Sequence, residues 1–161
     1  MGWQFGCSIG TEMVRILSKR LGPIEFDESA IVEFAAGLPG FQHCTRMAVV
    51  QRPASIPLVY LQSLDFPDIC FLTIPVSAVI PDYQLEMTPE DLKCIGLASS
   101  GMNEDILCLA ILAPAEGGRF TVNLLAPVVI HRGASKGVQA VRVDTRYSHQ
   151  HPLGGAGATC S

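Results

Sequence analysis

Short strand-like segments, each stopped by proline or glycine, recur from one end of this 161-residue chain to the other. Ile24-Glu25-Phe26-Asp27 alternates apolar and acidic residues. Val32-Glu33-Phe34 resumes that alternation, and Phe120-Thr121-Val122-Asn123-Leu124 repeats it. A period of two turns successive side chains to opposite faces of a sheet, so each segment reads as a strand with one covered face. Residues 58–61, 69–74 and 106–112 are apolar without alternation. They suit strands covered on both faces, although periodicity alone leaves buried helix open. Residues 13–17, 47–50 and 138–143 complete the set. Between them stand Gly37-Leu38-Pro39-Gly40, Arg52-Pro53, Pro67-Asp68, Pro81-Asp82 and Gly117-Gly118, all turn formers. One helix is marked: Thr88 can cap it, Pro89 fits its first position, Glu90 and Asp91 complement its dipole, and Gly96 ends it. Two turns are too few to cover a sheet. The expected fold is all-β, a compact antiparallel β barrel-like single domain with one short helix near residues 89–95.

The domain is expected over residues 13–153. A loose leader occupies residues 1–12, and a flexible Gly/Ala tail residues 154–161. Hydrophobic residues make up 48% of the chain against 16% charged, which excludes an intrinsically disordered protein. The longest apolar run, Ile106 to Ala113, is eight residues. A membrane-spanning helix needs roughly 20, so no membrane partner is expected. The N-terminus has neither a basic n-region nor an apolar h-region, and the expected compartment is the cytoplasm. Six cysteines at wide, irregular spacings, with no C-x-x-C pair, are expected to be free thiols.

The net charge of −4 and pI near 5.5 argue against direct binding of nucleic acid, which favours a basic excess. Residues 1–105 hold 13 acidic and 6 basic residues, a net of −7; residues 106–161 hold 2 and 5, a net of +3. That asymmetry reads either as an acidic face with a basic edge or as an ordinary solvated surface.

Catalytic equipment is sparse. The chain carries no phosphate loop, dinucleotide fingerprint, nucleophile elbow or H-E-x-x-H. His149-x-His151 puts two imidazoles on one face of a strand, and two ligands do not make a metal site. Asp65 and Asp68 flank Phe66-Pro67. They are better read as turn formers bonding their own backbone than as a catalytic pair. A small ligand-binding β-barrel or enzyme using Asp65, Asp68, His149 and His151 stays open as an alternative.

Several motifs occur in one order: Gly37-Leu38-Pro39-Gly40-Phe41; Leu61-Gln62-Ser63-Leu64-Asp65-Phe66-Pro67-Asp68 with Phe71; Pro81-Asp82-Tyr83; Thr121-Val122-Asn123-Leu124-Leu125-Ala126-Pro127; and Tyr147-Ser148 with His151-Pro152-Leu153. Through them the chain, from about Val14 to Leu153, resembles the flagellar assembly factor FliW family. The resemblance implies a cytoplasmic, barrel-like, non-catalytic protein without cofactor or metal. Such a protein binds and antagonises the translational regulator CsrA, and binds flagellin near its terminal helical regions. It thereby couples flagellin level to flagellin translation, and it is a monomer when free. A flagellin chaperone that never touches a regulator is the narrower alternative. Leu38, Pro39, Phe41, Leu61, Phe71 and Leu124 read as core and turn residues. The exposed-looking positions beside the motifs are the candidate contacts with a protein partner: Glu25, Asp27, Glu28 and Glu33 on the N-terminal strands, and Asp65, Asp68, Asp82 and Tyr83 on the loops. Tyr83 reads equally as an interface anchor or as a core tyrosine with its hydroxyl at the surface.

Overall fold

In the computed structural model the described residues are 12–99, 103–142 and 146–153. Almost all of the expected leader, the whole expected tail, Cys7 and Cys160 therefore lie outside the described residues. The chain opens with a hairpin of β1 (Met13–Ser18) and β2 (Gly22–Asp27), followed by a 3-10 turn (Glu28–Ala30). Then come β3 (Ile31–Glu33), β4 (Arg46–Val50), β5 (Val59–Ser63) and β6 (Cys70–Pro75). Two short helices follow, α1 (Val76–Val79) and α2 (Pro89–Cys94). The remaining strands are β7 (Ile106–Pro114), β8 (Phe120–Val122), β9 (Val128–His131), β10 (Lys136–Gln139) and β11 (His151–Pro152).

Strands β3, β4, β5, β6, β7, β9 and β10 close into a seven-stranded barrel. Every junction is antiparallel except β3–β10, which meet in parallel at Glu33 and Lys136. Closure removes the free edges of the main sheet. The nine-residue β7 makes closure possible by serving two neighbours on one side. Ile106 to Leu109 pair with β9, and Leu112 to Pro114 pair with β8, which carries β11 outside the barrel.

The alternation along each strand sorts the apolar residues into layers. Phe34, Met47, Val49, Val59, Leu61, Leu107, Leu109, Val128 and Ile130 fill the barrel. The other faces of β6, β7 and β9 contribute Ile74, Cys108, Ala110 and Val129 to a second core, beneath Val76, Tyr83, Leu85 and Ile95. Ala48 on the outside of β4 packs under Ile24 and Phe26 of the hairpin. β7 and β9 are thus covered on both faces, which is why β7 reads as an unbroken apolar run. Where β10 meets β3, Gly137 faces the fully buried Phe34 ring; a Cβ there would come within 2.6 Å of it.

The expected strands are present with shifted ends, except that of the one expected over 138–143 only Val138 and Gln139 are in a strand, residues 140–142 are in none and residue 143 lies outside the described residues; α2 is capped as expected. The Thr88 hydroxyl accepts from the Asp91 N–H, and the Asp91 carboxylate accepts from the Thr88 N–H. Three elements were not expected from the sequence: the single turn α1, the strand β9 and the edge pair β11.

Candidate functional site

In the first motif Gly37 has φ 66° and Gly40 φ 85°. Leu38 and Phe41 bridge across the turn, and Leu38 is buried. In the second, Gln62 is fully buried between barrel and hairpin. Its Oε1 accepts from the Ser18 hydroxyl at 2.6 Å, and its Nε2 donates to the carbonyls of Ser63 and Pro67. The Lys19 N–H also donates to Pro67, so this motif fastens the hairpin to the barrel. In the fourth, the Asn123 side chain accepts from the N–H groups of Leu125 and Ala126, turning the chain from β8 into β9.

Tyr83 is not an exposed anchor. It is 5% exposed, and its hydroxyl donates to the Leu124 carbonyl at 2.6 Å rather than reaching the surface. Its ring stacks on Tyr147 at 4.3 Å. Burial pushes the phenol well above its usual pKa, with the nearby Cys108 adding in the same direction. The guanidinium of Arg142, 1% exposed, lies 5.1 Å from the Tyr147 ring centre and 6.0 Å from that of Tyr83. It donates to the Gln84 carbonyl and pairs with Glu86. Sequence reasoning missed Arg142, whose partners Tyr83, Gln84 and Glu86 lie far from it along the chain.

Four of the seven candidate carboxylates have local partners. Glu25 pairs with Arg15 across the hairpin at 3.1 Å. Asp27 caps the 3-10 turn by accepting from the N–H and hydroxyl of Ser29. Glu33 stands in register with Arg46 on one neighbour and Lys136 on the other. Asp65 bonds Arg46 at 2.9 Å. The β5–β6 turn is therefore not built by Asp65 as expected: the Ser63 hydroxyl accepts from the Phe66 N–H instead. Glu28, Asp68 and Asp82 are exposed, with no ion pair among the described residues. Glu28 lies just after the hairpin, Asp68 in the β5–β6 turn, and Asp82 on the segment covering the second core.

The pieces of the enzyme alternative are not brought together. His149 is exposed and lines a cavity of about 610 Å³ with Ile111, Ala113, Glu116, Asn123 and Gln150. Asp65 and Asp68 are not among its walls. Among the described residues no three His, Cys, Asp or Glu side chains are grouped to hold a metal ion. Cys44, Cys70, Cys94 and Cys108 are free thiols. Burial pushes Cys70 up to about 11, against the opposing pull of Arg20 and Arg52, and Cys108 up to about 12. These are inert thiols rather than nucleophiles. No helix among the described residues is long and apolar enough to cross a membrane.

Residues 15–153 match the family model described as FliW protein. The chain is 35% identical over 140 residues to the flagellar assembly factor FliW of Natranaerobius thermophilus, covering 87% of this chain and 92% of that one. It is 31% identical over 140 residues to that of Syntrophomonas wolfei, covering 87% and 88%. A solved structure titled as the flagellar assembly factor FliW superimposes with a TM-score of 0.76 at 28% identity, covering 88% of this chain and 97% of that one.

Proposed function

This chain belongs to the FliW family of flagellar assembly factors, and from that premise we propose that it works by partner switching. It binds the RNA-binding regulator CsrA and prevents it from repressing flagellin translation. It also binds newly made flagellin, so that accumulating flagellin takes the protein away from CsrA. The protein itself touches no RNA, consistent with its acidic balance. It acts in the cytoplasm without cofactor or catalysis.

The observation that carries the CsrA half is that three of the candidate carboxylates, Glu28, Asp68 and Asp82, are exposed and in no ion pair among the described residues. Glu25, Glu33 and Asp65 add charge that local arginine and lysine partly offset, and Asp27 is committed to its cap. An RNA-binding partner presents basic surface, and uncompensated carboxylates steer such a partner and speed encounter more than they deepen the complex. Flagellin's terminal helices are expected to bind through apolar contact and to depend less on these charges.

Surface plasmon resonance with CsrA and flagellin at several salt concentrations tests this. CsrA association is expected to slow by roughly tenfold between low and high salt, with little change in dissociation. Glu28→Lys, Asp68→Lys and Asp82→Lys should each slow CsrA association further and leave flagellin association nearly unchanged. CsrA binding indifferent to salt and to all three reversals would refute the steering. Flagellin binding without any CsrA binding would leave the chaperone reading instead.

A further inference from the structure

The β1–β2 hairpin lies outside the closed barrel and keeps two edges of its own. The Glu28 N–H donates to the Glu12 carbonyl, and the register pairs Val14 with Phe26 and Ile16 with Ile24. Even-numbered residues of β1 therefore bond β2, and the N–H and C=O groups of Met13, Arg15 and Leu17 point away from it. Those six backbone groups have no partner among the described residues. The side chains at the same positions face out of the sheet: Met13 is 57% and Leu17 68% exposed. The opposite edge differs. The outward positions of β2 are Pro23, which has no N–H, then Glu25 and Asp27. Proline and charge are the usual means of closing an edge to further strands. β1 has neither proline nor bulge, and its one outward charge, Arg15, stands between two exposed apolar side chains.

We propose that the free edge of β1 is a strand-addition site for an extended acidic peptide of a protein partner, a main-chain contact different in kind from the charge steering assigned to CsrA. Main-chain bonds to Met13, Arg15 and Leu17 supply affinity, and side chains at alternate positions supply selection. Arg15 fixes the sign of the charge. Its guanidinium bonds Glu25 through one nitrogen and keeps further donors for a second carboxylate. Lys19 and Arg20, both exposed, continue the positive charge at the hairpin tip. The full antiparallel register centred on β1 would set Arg15 against its own copy, a like-charge pair directly opposite. That disfavours a second copy of this chain as the occupant.

The probe is the synthetic peptide Glu-Thr-Val-Thr-Glu-Thr-Val, which in antiparallel register sets valines opposite Met13 and Leu17 and glutamates opposite Arg15 and Lys19. Binding to the full chain is read by amide chemical shifts, with the peptide carrying lysine in place of glutamate as control. The glutamate peptide is expected to shift Met13, Arg15 and Leu17 and to bind at least tenfold more tightly than the lysine peptide. Arg15→Pro removes an N–H that bonds nothing within the hairpin and should abolish binding. Arg15→Glu keeps the N–H and should narrow or invert the preference between peptides. No binding by either peptide, equal binding of both, or undiminished binding by folded Arg15→Pro overturns the proposal. Dimerisation of the full chain abolished by Arg15→Pro also overturns it, by making a second copy the occupant.

Discussion

Gly37 and Gly40 occupy the same tight turn and both have positive φ, yet alanine should cost very different amounts at the two sites. At Gly40, φ 85°, a Cβ meets nothing within 4 Å, so Gly40→Ala pays only for a left-handed alanine, about 1–2 kcal/mol. At Gly37, φ 66°, a Cβ falls 2.6 Å from the backbone of Gln42 and from the Phe41 carbonyl oxygen. Backbone atoms cannot rotate away as a flexible side chain would. The turn itself must open, which pulls on the buried Leu38 and on the Leu38–Phe41 bridge. Overpacking of that kind adds about 1–3 kcal/mol. At about 2–4 °C per kcal/mol for a chain of this size, Gly37→Ala should melt roughly 2–12 °C below Gly40→Ala. The assay is thermal denaturation by circular dichroism of both variants beside the parent. Equal melting temperatures would refute the argument that close backbone approach, rather than φ alone, requires glycine at position 37.

Gln62→Leu should destabilise by about 1–3 kcal/mol, because the Ser63 and Pro67 carbonyls and the Ser18 hydroxyl lose their buried partner. Faster amide exchange in β1 and β2 than in β7 would show the hairpin loosening first. Arg142→Leu, which strips the Gln84 carbonyl of a charged donor and uncovers two tyrosine rings, should cost about 1.5–3 kcal/mol by urea denaturation. Cys70 and Cys108 hold their protons in the fold well above the ordinary thiol value of 9.0. The unfolded chain loses those protons first, so stability should fall as pH rises from about 9 towards 11–12. Urea midpoints across that range check the sign, and a flatter profile is expected for Cys108→Ala.

The strands with clean alternation and the helix with a full set of end signals were legible because their causes are local. β9 was not. Val128-Val129-Ile130 is buried on both faces, so no period marks it, and it follows directly on Pro127. Which acidic residues have cations beside them was not legible, because counting charge along a sequence cannot see cross-strand partners. Glu33 has Arg46 and Lys136 beside it only once β3, β4 and β10 are assembled. Tyr83 was ambiguous for the same reason: its acceptor, Leu124, and its stacking partner, Tyr147, arrive from distant parts of the chain. The motifs carried the family, and the structure gives most of them jobs in turns and packing.

Partner switching requires that one protein be shared between CsrA and flagellin in turn. The test is to add flagellin to a preformed complex of this protein with CsrA and follow fluorescently labelled CsrA by anisotropy, with a flagellin leader RNA as second readout. Under partner switching, flagellin displaces CsrA in a saturable manner and the released CsrA regains RNA binding. A stable ternary complex with CsrA still held away from RNA, or no CsrA complex to displace, would contradict it.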